Sequence, residues 1–170
     1  MKYVFLLFSV MLFCSNAYST VITEQFFLTT TIDKNSFFSN AITRFEFKPH
    51  ALALVYNNNT KTFNEAFSDL IVETDIPKTN TDMFLAIRMT ENTTQCSDFD
   101  NLVISNSDDL AIIHLEDELM SLDQPVDFQF NDVVNDSKAA KYKTSINFKS
   151  LPENAIDCSG SVTMTLEFSI

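Results

Sequence analysis

The 170-residue sequence predicts an all-β sandwich, and three observations lead to it. Apolar and polar residues alternate with period two in several short segments, the pattern of a half-buried strand. Polar stretches rich in Asn, Asp and Ser return about every ten residues, which suits eight or nine strands of a sandwich better than a βαβ repeat. Thr and aromatic residues enrich the alternating segments, as a pleated surface favours.

In chain order, residues 1–19 read as a secretory signal peptide. Lys2 supplies a positive charge, residues 4–13 form an apolar run broken by Ser9, and Ala17 and Ser19 put small side chains where a signal peptidase cuts. The run is about half of the ~20 residues that a membrane-spanning helix needs. Lipid attachment at Cys14 is disfavoured by Phe13, because a lipobox carries a small residue before its cysteine. Cleavage after Ser19 leaves residues 20–170 as one domain, long enough to bury a core.

The first strand follows directly. Ile22, Phe26, Leu28, Thr30 and Ile32 share one side, with Glu24 the exception, and Thr23, Gln25, Thr29, Thr31 and Asp33 mostly take the other. Further strands are expected at 43–47, 51–56, 69–75, 83–89, 102–105, 109–115, 126–130 and 141–149. Residues 63–67 read as either a helical turn or the start of a strand. Loops are expected at 57–60, 78–81, 105–109 and 131–137. The last strand, 161–170, alternates most regularly, with Val162, Met164, Leu166, Phe168 and Ile170 on the core side.

Composition narrows the function. Loss of Lys2 leaves Lys plus Arg one below the full chain's 11, against 23 acidic residues, for a mature net charge of about −13. Such a surface repels nucleic acid and anionic membranes. With Cys14 removed, Cys96 and Cys158 are the remaining thiols, and in an oxidising compartment the pair is expected to bridge. The chain has one glycine, against an average usage of about 7 %. Turns must therefore lean on Asn, Asp and Ser, and glycine-rich phosphate loops and the nucleophile elbow are excluded.

No catalytic residue is expected. His50 and His114 read as structural, no Ser/His/Asp order or His-Glu-x-x-His motif occurs, and no cofactor is called for. The acidic stretches 107–109 and 116–118 lack the spacing of a calcium loop and read as solvated surface, so no metal site is expected. Asn58, Asn92 and Asn135 each open an Asn-x-Ser/Thr triplet, a glycan acceptor in a eukaryotic secreted protein.

Two segments and the chain's end resemble pilin subunits of the alternate chaperone–usher fimbriae, the group of the colonisation-factor pilins and the enterobacterial common pilus. The stretch Phe26-Phe27-Leu28-Thr29-Thr30-Thr31-Ile32-Asp33 is similar to their Thr-rich amino-terminal donor strand. Leu52-Ala53-Leu54-Val55-Tyr56, then Thr62-Phe63-Asn64, with strands at 70–74 and 84–87, resembles the body of the common-pilus subunit. Leu151-Pro152-Glu153 followed by Ser159-Gly160-Ser161-Val162 looks like the family's closing strand. The cysteine pair and the scarcity of glycine depart from the family. The lack of a penultimate Tyr sets the chain apart from ordinary type-one-like pilins.

The resemblance implies an incomplete immunoglobulin-like β-sandwich, completed by a donor strand spanning 20–33 of another copy. Ile22, Phe26, Leu28, Thr30 and Ile32 would be the donor residues, and Val162, Met164, Leu166 and Phe168 would floor the acceptor groove. The implied partners are neighbouring pilin subunits, a periplasmic chaperone and an outer-membrane usher. The implied place is the periplasm in transit, then an extracellular fimbria with a role in adhesion. The competing reading is a self-contained secreted sandwich whose Phe-rich walls hold an apolar or carbohydrate ligand.

Overall fold

The computed structural model describes residues 24–32, 42–81, 83–107 and 110–169. The expected signal peptide, Ile22 and Ile170 lie outside them. The strands in chain order are β1 (Glu24–Ile32), β2 (Ile42–Lys48), β3 (Ala51–Leu54), β4 (Tyr56–Asn57), β5 (Thr62–Phe63), β6 (Ala66–Pro77) and β7 (Phe84–Ser97). They continue with β8 (Val103–Ser107), β9 (Ala111–Leu115), β10 (Glu118–Leu119), β11 (Pro125–Phe128), β12 (Asp132–Val134), β13 (Ser137–Phe148) and β14 (Asp157–Ser169). No helix occurs among the described residues.

Two six-stranded sheets form the sandwich. One runs β11-β7-β14-β1-β3 with β8 also on β7; the other runs β10-β9-β13-β6-β2 with β12 on β13. Alternation places one face of each sheet inside, so that Leu70 and Val72 of β6, Leu85 and Ile87 of β7, Ile146 of β13 and Val162 of β14 are all fully buried. The chain passes between sheets at the bend after β2, where the Lys48–Pro49 peptide is cis. Because β14 pairs with β7 from Asp157↔Ser97 to Ser169↔Phe84, β8 and β11 share the other flank of β7, one toward each end of the domain.

Each of the ten expected strands has a counterpart, but the one expected at 51–56 breaks at Val55, leaving β3 in the sheet of β1 and β4 paired with β5 in a small sheet of its own. The structure corrects their extents. β7 runs on through Ser97 and β13 begins at Ser137, because cross-strand pairing carries both past the alternating stretch. Residues 63–67 hold no helical turn: Phe63 ends β5, Ala66 opens β6, and residues 64–65 lie between them. The loop expected at 131–137 contains β12 and a two-residue hairpin, and residues 105–107, also expected as loop, belong to β8.

The hairpin shows how a chain with almost no glycine turns. Asn135 and Asp136 both adopt positive φ, 51° and 63°, between the facing pair Val134 and Ser137, the shape of a type I′ turn. Asn101 and Asp123 also take left-handed φ, as the composition led one to expect, and Lys61 and Glu116 do so as well.

Tyr142 closes the β11–β13 side of the core. Its ring lies 5.1 Å from that of Phe128 and its hydroxyl donates to the Gln129 carbonyl at 2.7 Å. Burial, reinforced by the charge of Glu116, pushes this phenol above its ordinary value. A group held protonated by the fold contributes stability in full below the unfolded phenol's pKa of ~10, and that stability is lost as pH rises beyond it. Stability measured by urea unfolding should therefore fall steeply above pH ~10, and the fall should be shallower in Tyr142→Phe.

Candidate functional site

The feature of the fold that stands apart is the seat of β1. It pairs in parallel with β14, from Gln25↔Ser159 to Ile32↔Leu166, and antiparallel with β3 from Glu24↔Leu54 to Phe27↔Ala51. Among the described strands β1–β14 is the one parallel ladder. Among the described strands β3 has no partner other than β1. Without β1, sheet and slot part company: β14 faces an open edge and β3 loses its ladder.

The side chains obey the expected alternation. Phe26 is 1 % exposed and Leu28 is 6 % exposed, whereas Phe27 is 47 % exposed. Thr30 is half-buried and donates its hydroxyl to the Phe45 carbonyl of β2 at 2.6 Å. The Leu28 amide donates to the His50 carbonyl at 2.9 Å, so the bend holding His50 helps to hold β1. Ile32 lies in the strand by backbone.

Against β1 stands the row of β14. Val162, Met164 and Leu166 are fully buried and Phe168 is 8 % exposed. Leu28 faces Val162, Thr30 faces Met164 and Ile32 faces Leu166. The structure thus brings the four residues of the expected groove onto one buried row, with three of them in register with β1. Phe168 lies beyond the last paired residue, opposite Leu85 of β7.

Sequence reasoning missed the socket that fixes the register. Phe26 faces Gly160, the chain's one glycine. A Cβ added there would meet Phe26 Cε2 at 2.6 Å and the Thr93 carbonyl at 2.7 Å, closer than real Cβ contacts allow. The ring of Phe26 lies where a side chain on β14 would otherwise stand. It also meets Phe148 edge-on at 6.0 Å, and Phe148 meets Phe63 at 5.3 Å. The signal was available: an isolated glycine inside a strongly alternating strand marks a close approach.

Cys96 and Cys158 face each other on β7 and β14 and form a disulfide with Cα atoms 4.1 Å apart. The bridge sits two rungs from Gly160, at what is here termed the cystine end of the sandwich; the far end carries Phe84 and Ser169. On the outward face, the Thr93 and Ser161 hydroxyls lie 2.9 Å apart and Thr163 donates to Glu91 at 2.9 Å, a wet surface behind the buried row.

Among the described residues no group of three or more His, Cys, Asp or Glu is placed to hold a metal ion. No helix among them is long and apolar enough to cross a membrane. Asn58 and Asn135 are exposed, but Asn92 is 6 % exposed and its amide donates to the Ala111 carbonyl at 2.8 Å, so it is no acceptor in the folded domain. Comparison with protein-family models and with curated proteins returns no match.

Two outcomes follow. Phe26→Ala should cost about 3–5 kcal/mol and Gly160→Ala about 1–3 kcal/mol through overpacking. The double variant should cost less than the sum, because removing the ring relieves part of the clash; additive costs in urea melts would mean the two are not coupled. Replacing both cysteines by Ala should lower stability by about 2–4 kcal/mol, since the bond closes a loop of 62 residues.

Proposed function

We propose that the chain is a structural subunit of a surface fimbria and polymerises by strand exchange, with β1 of one copy completing the sheet of the next. The observation that carries the reading is the slot between β14 and β3. It is a linear gap in the middle of a sheet, edged on one side by β14 with its buried Val162, Met164 and Leu166 and on the other by β3. Residues 24–32 fill it, in the parallel orientation that no other ladder between the described strands takes.

The energetics suit exchange between equals. Phe26 and Leu28 would each contribute about 1.5–3 kcal/mol on burial, whichever copy supplies the slot. Main-chain bonds of the ladder add affinity without regard to sequence, and the Phe26 socket adds register. A vacant slot would expose apolar floor and two unpaired strand edges, a hazard that natural sheets cover. A periplasmic chaperone that fills it before assembly, and an outer-membrane usher that passes subunits outward, are the partners this reading requires. Adhesion through the assembled fibre belongs to the same proposal. The disulfide fits an exported product.

The competing reading, a self-contained module that holds a ligand among its phenylalanines, finds less support. Phe26, Phe63 and Phe148 pack on one another's rings. The surface clefts of about 500, 410 and 230 Å³ each place one or two lysines and a carboxylate among their apolar side chains.

The test uses the mature chain, residues 20–170, warmed enough to loosen β1 and then cooled at high concentration. Detergent-resistant ladders should form. A synthetic peptide of residues 20–33 should cap them, and the same peptide carrying Phe26→Asp should bind at least a hundredfold more weakly, as the loss of a fully buried ring implies. A chain that stays monomeric and excludes the peptide would overturn the reading.

A further inference from the structure

The outer face of the sheet that holds β2, β6 and β13 carries a cleft that strand exchange does not use. It belongs to a single copy of the chain, whether or not copies join. Across the three strands Asp69 stands between Lys48 on one side and Lys143 on the other. Phe67 lies two residues along β6, so it shares their face, and Pro49 follows Lys48 at the bend. Alternation turns these side chains outward: Lys48, Phe67 and Lys143 are exposed, while Phe47, Ser68 and Tyr142 are buried. Together with Ser68 they line a cleft of about 230 Å³. That is below the ~300–1,000 Å³ of a pocket for a whole drug-sized ligand, and suits one ring of a larger molecule.

The charges in the cleft are unusual for this chain. With a net charge of −12, carboxylates outnumber the cations available to them. Arg44 is held by Glu46 and Glu73, Lys78 by Asp136 and Lys141 by Asp69. Among the described residues neither Lys48 nor Lys143 makes such a pair. Asp69, beside both in the ladder, bonds to Lys141 Nζ at 2.9 Å instead. Glu116 is also close, but its carboxylate accepts the Lys143 backbone amide at 2.8 Å. The Lys143 ammonium lies 4.2 Å from the centre of the Phe67 ring, a cation–π contact. Two ammonium groups therefore border the cleft without a bonded carboxylate.

The floor is apolar and fixed. Phe67 is 45 % exposed even with the lysine over it, and the Pro49 ring lies beside it. The buried Ser68 hydroxyl donates to the Pro49 carbonyl at 2.7 Å, and the Leu28 amide holds the next carbonyl, that of His50, at 2.9 Å. The bend is thus pinned from β6 and from β1.

These features select a ligand by chemistry. A bare phosphate or sulfate would leave the aromatic floor unused and would meet the Asp69 carboxylate. A neutral sugar would use the floor and Asp69 but neither lysine. A sugar that bears a carboxylate uses all of them. We infer that the cleft binds a carboxylated saccharide, one ring at a time. Its carboxylate meets the Lys48 and Lys143 ammonium groups, its C–H face lies on the electron-rich faces of Phe67 and Pro49's neighbouring surface, and a hydroxyl donates to Asp69. The site lies on the outer face, apart from the packed rings of Phe26, Phe63 and Phe148.

The experiment titrates the isotope-labelled mature chain, kept unwarmed so that copies stay single, with glucuronate, glucose or inorganic phosphate at constant ionic strength. Glucuronate should move the amide resonances of Lys48, Phe67, Asp69 and Lys143, and should bind about fivefold more tightly than glucose or phosphate. Lys48→Gln, Lys143→Gln and Phe67→Ser should each weaken it about threefold. Phe67→Tyr, which keeps the ring, and Lys138→Gln, in a different cleft, should bind as the parent does. Unchanged melting temperatures would show that the lysine variants, altered at exposed side chains, are folded. No movement at those four amides, phosphate binding as tightly as glucuronate, or lysine variants that bind like the parent would overturn the site. None of these outcomes touches strand exchange, which the polymer ladders test separately.

Discussion

The contact between the Phe26 ring and the bare backbone of Gly160 is the constraint on which the rest of sheet order depends. A strand can slide along an apolar trough two residues at a time and keep its alternation, so the alternation of β1 does not by itself choose a register. The socket does. Only where β14 carries no side chain can an aromatic ring lie flat on it, and that place occurs once in the chain. With Phe26 seated, Leu28 meets Val162, Thr30 meets Met164, and β3 gains its one ladder among the described strands.

The scarcity of glycine sharpens this. A chain free to use glycine would place it at the left-handed turns, yet those positions are held here by Asn, Asp, Lys and Glu. Asn and Asp tolerate that conformation because their side chains bond to nearby backbone, as Asp98 does at the head of its own turn. Glu116 takes another route: its carboxylate accepts the Lys143 amide at 2.8 Å while its own amide donates to the Lys143 carbonyl at 2.7 Å. The single glycine is kept for a packing need that no side-chain chemistry can meet.

The strand order in sequence was legible because each strand has one wet and one dry face. The core rows of β1 and β14 could be written down from alternation alone, and so could the cysteine pair once the oxidising compartment was inferred. What was not legible has a common cause. The extensions of β7 and β13, the short strand β12 and the pairing of β3 with β1 all depend on a partner strand distant in sequence. Asn92 illustrates it: a polar residue in an accessible-looking triplet is buried because β9 supplies a carbonyl from 19 residues away. The Gly160 socket was visible as an oddity in the sequence, but its occupant was not.

In the proposed fibre, built by strand exchange, the cystine would acquire a mechanical meaning. Tension along such a fibre enters each subunit through the ladder between the donated strand and β14, and loads that ladder in shear. β14 would then transmit the pull into the body through its hydrogen bonds to β7, which give way together only if they are loaded evenly. Cys96–Cys158 joins the two strands at one end, so the load would reach β7 through a covalent link even where the bonds beside it yield. In the proposed fibre the bridge would keep β14 joined to β7 at that end of the slot.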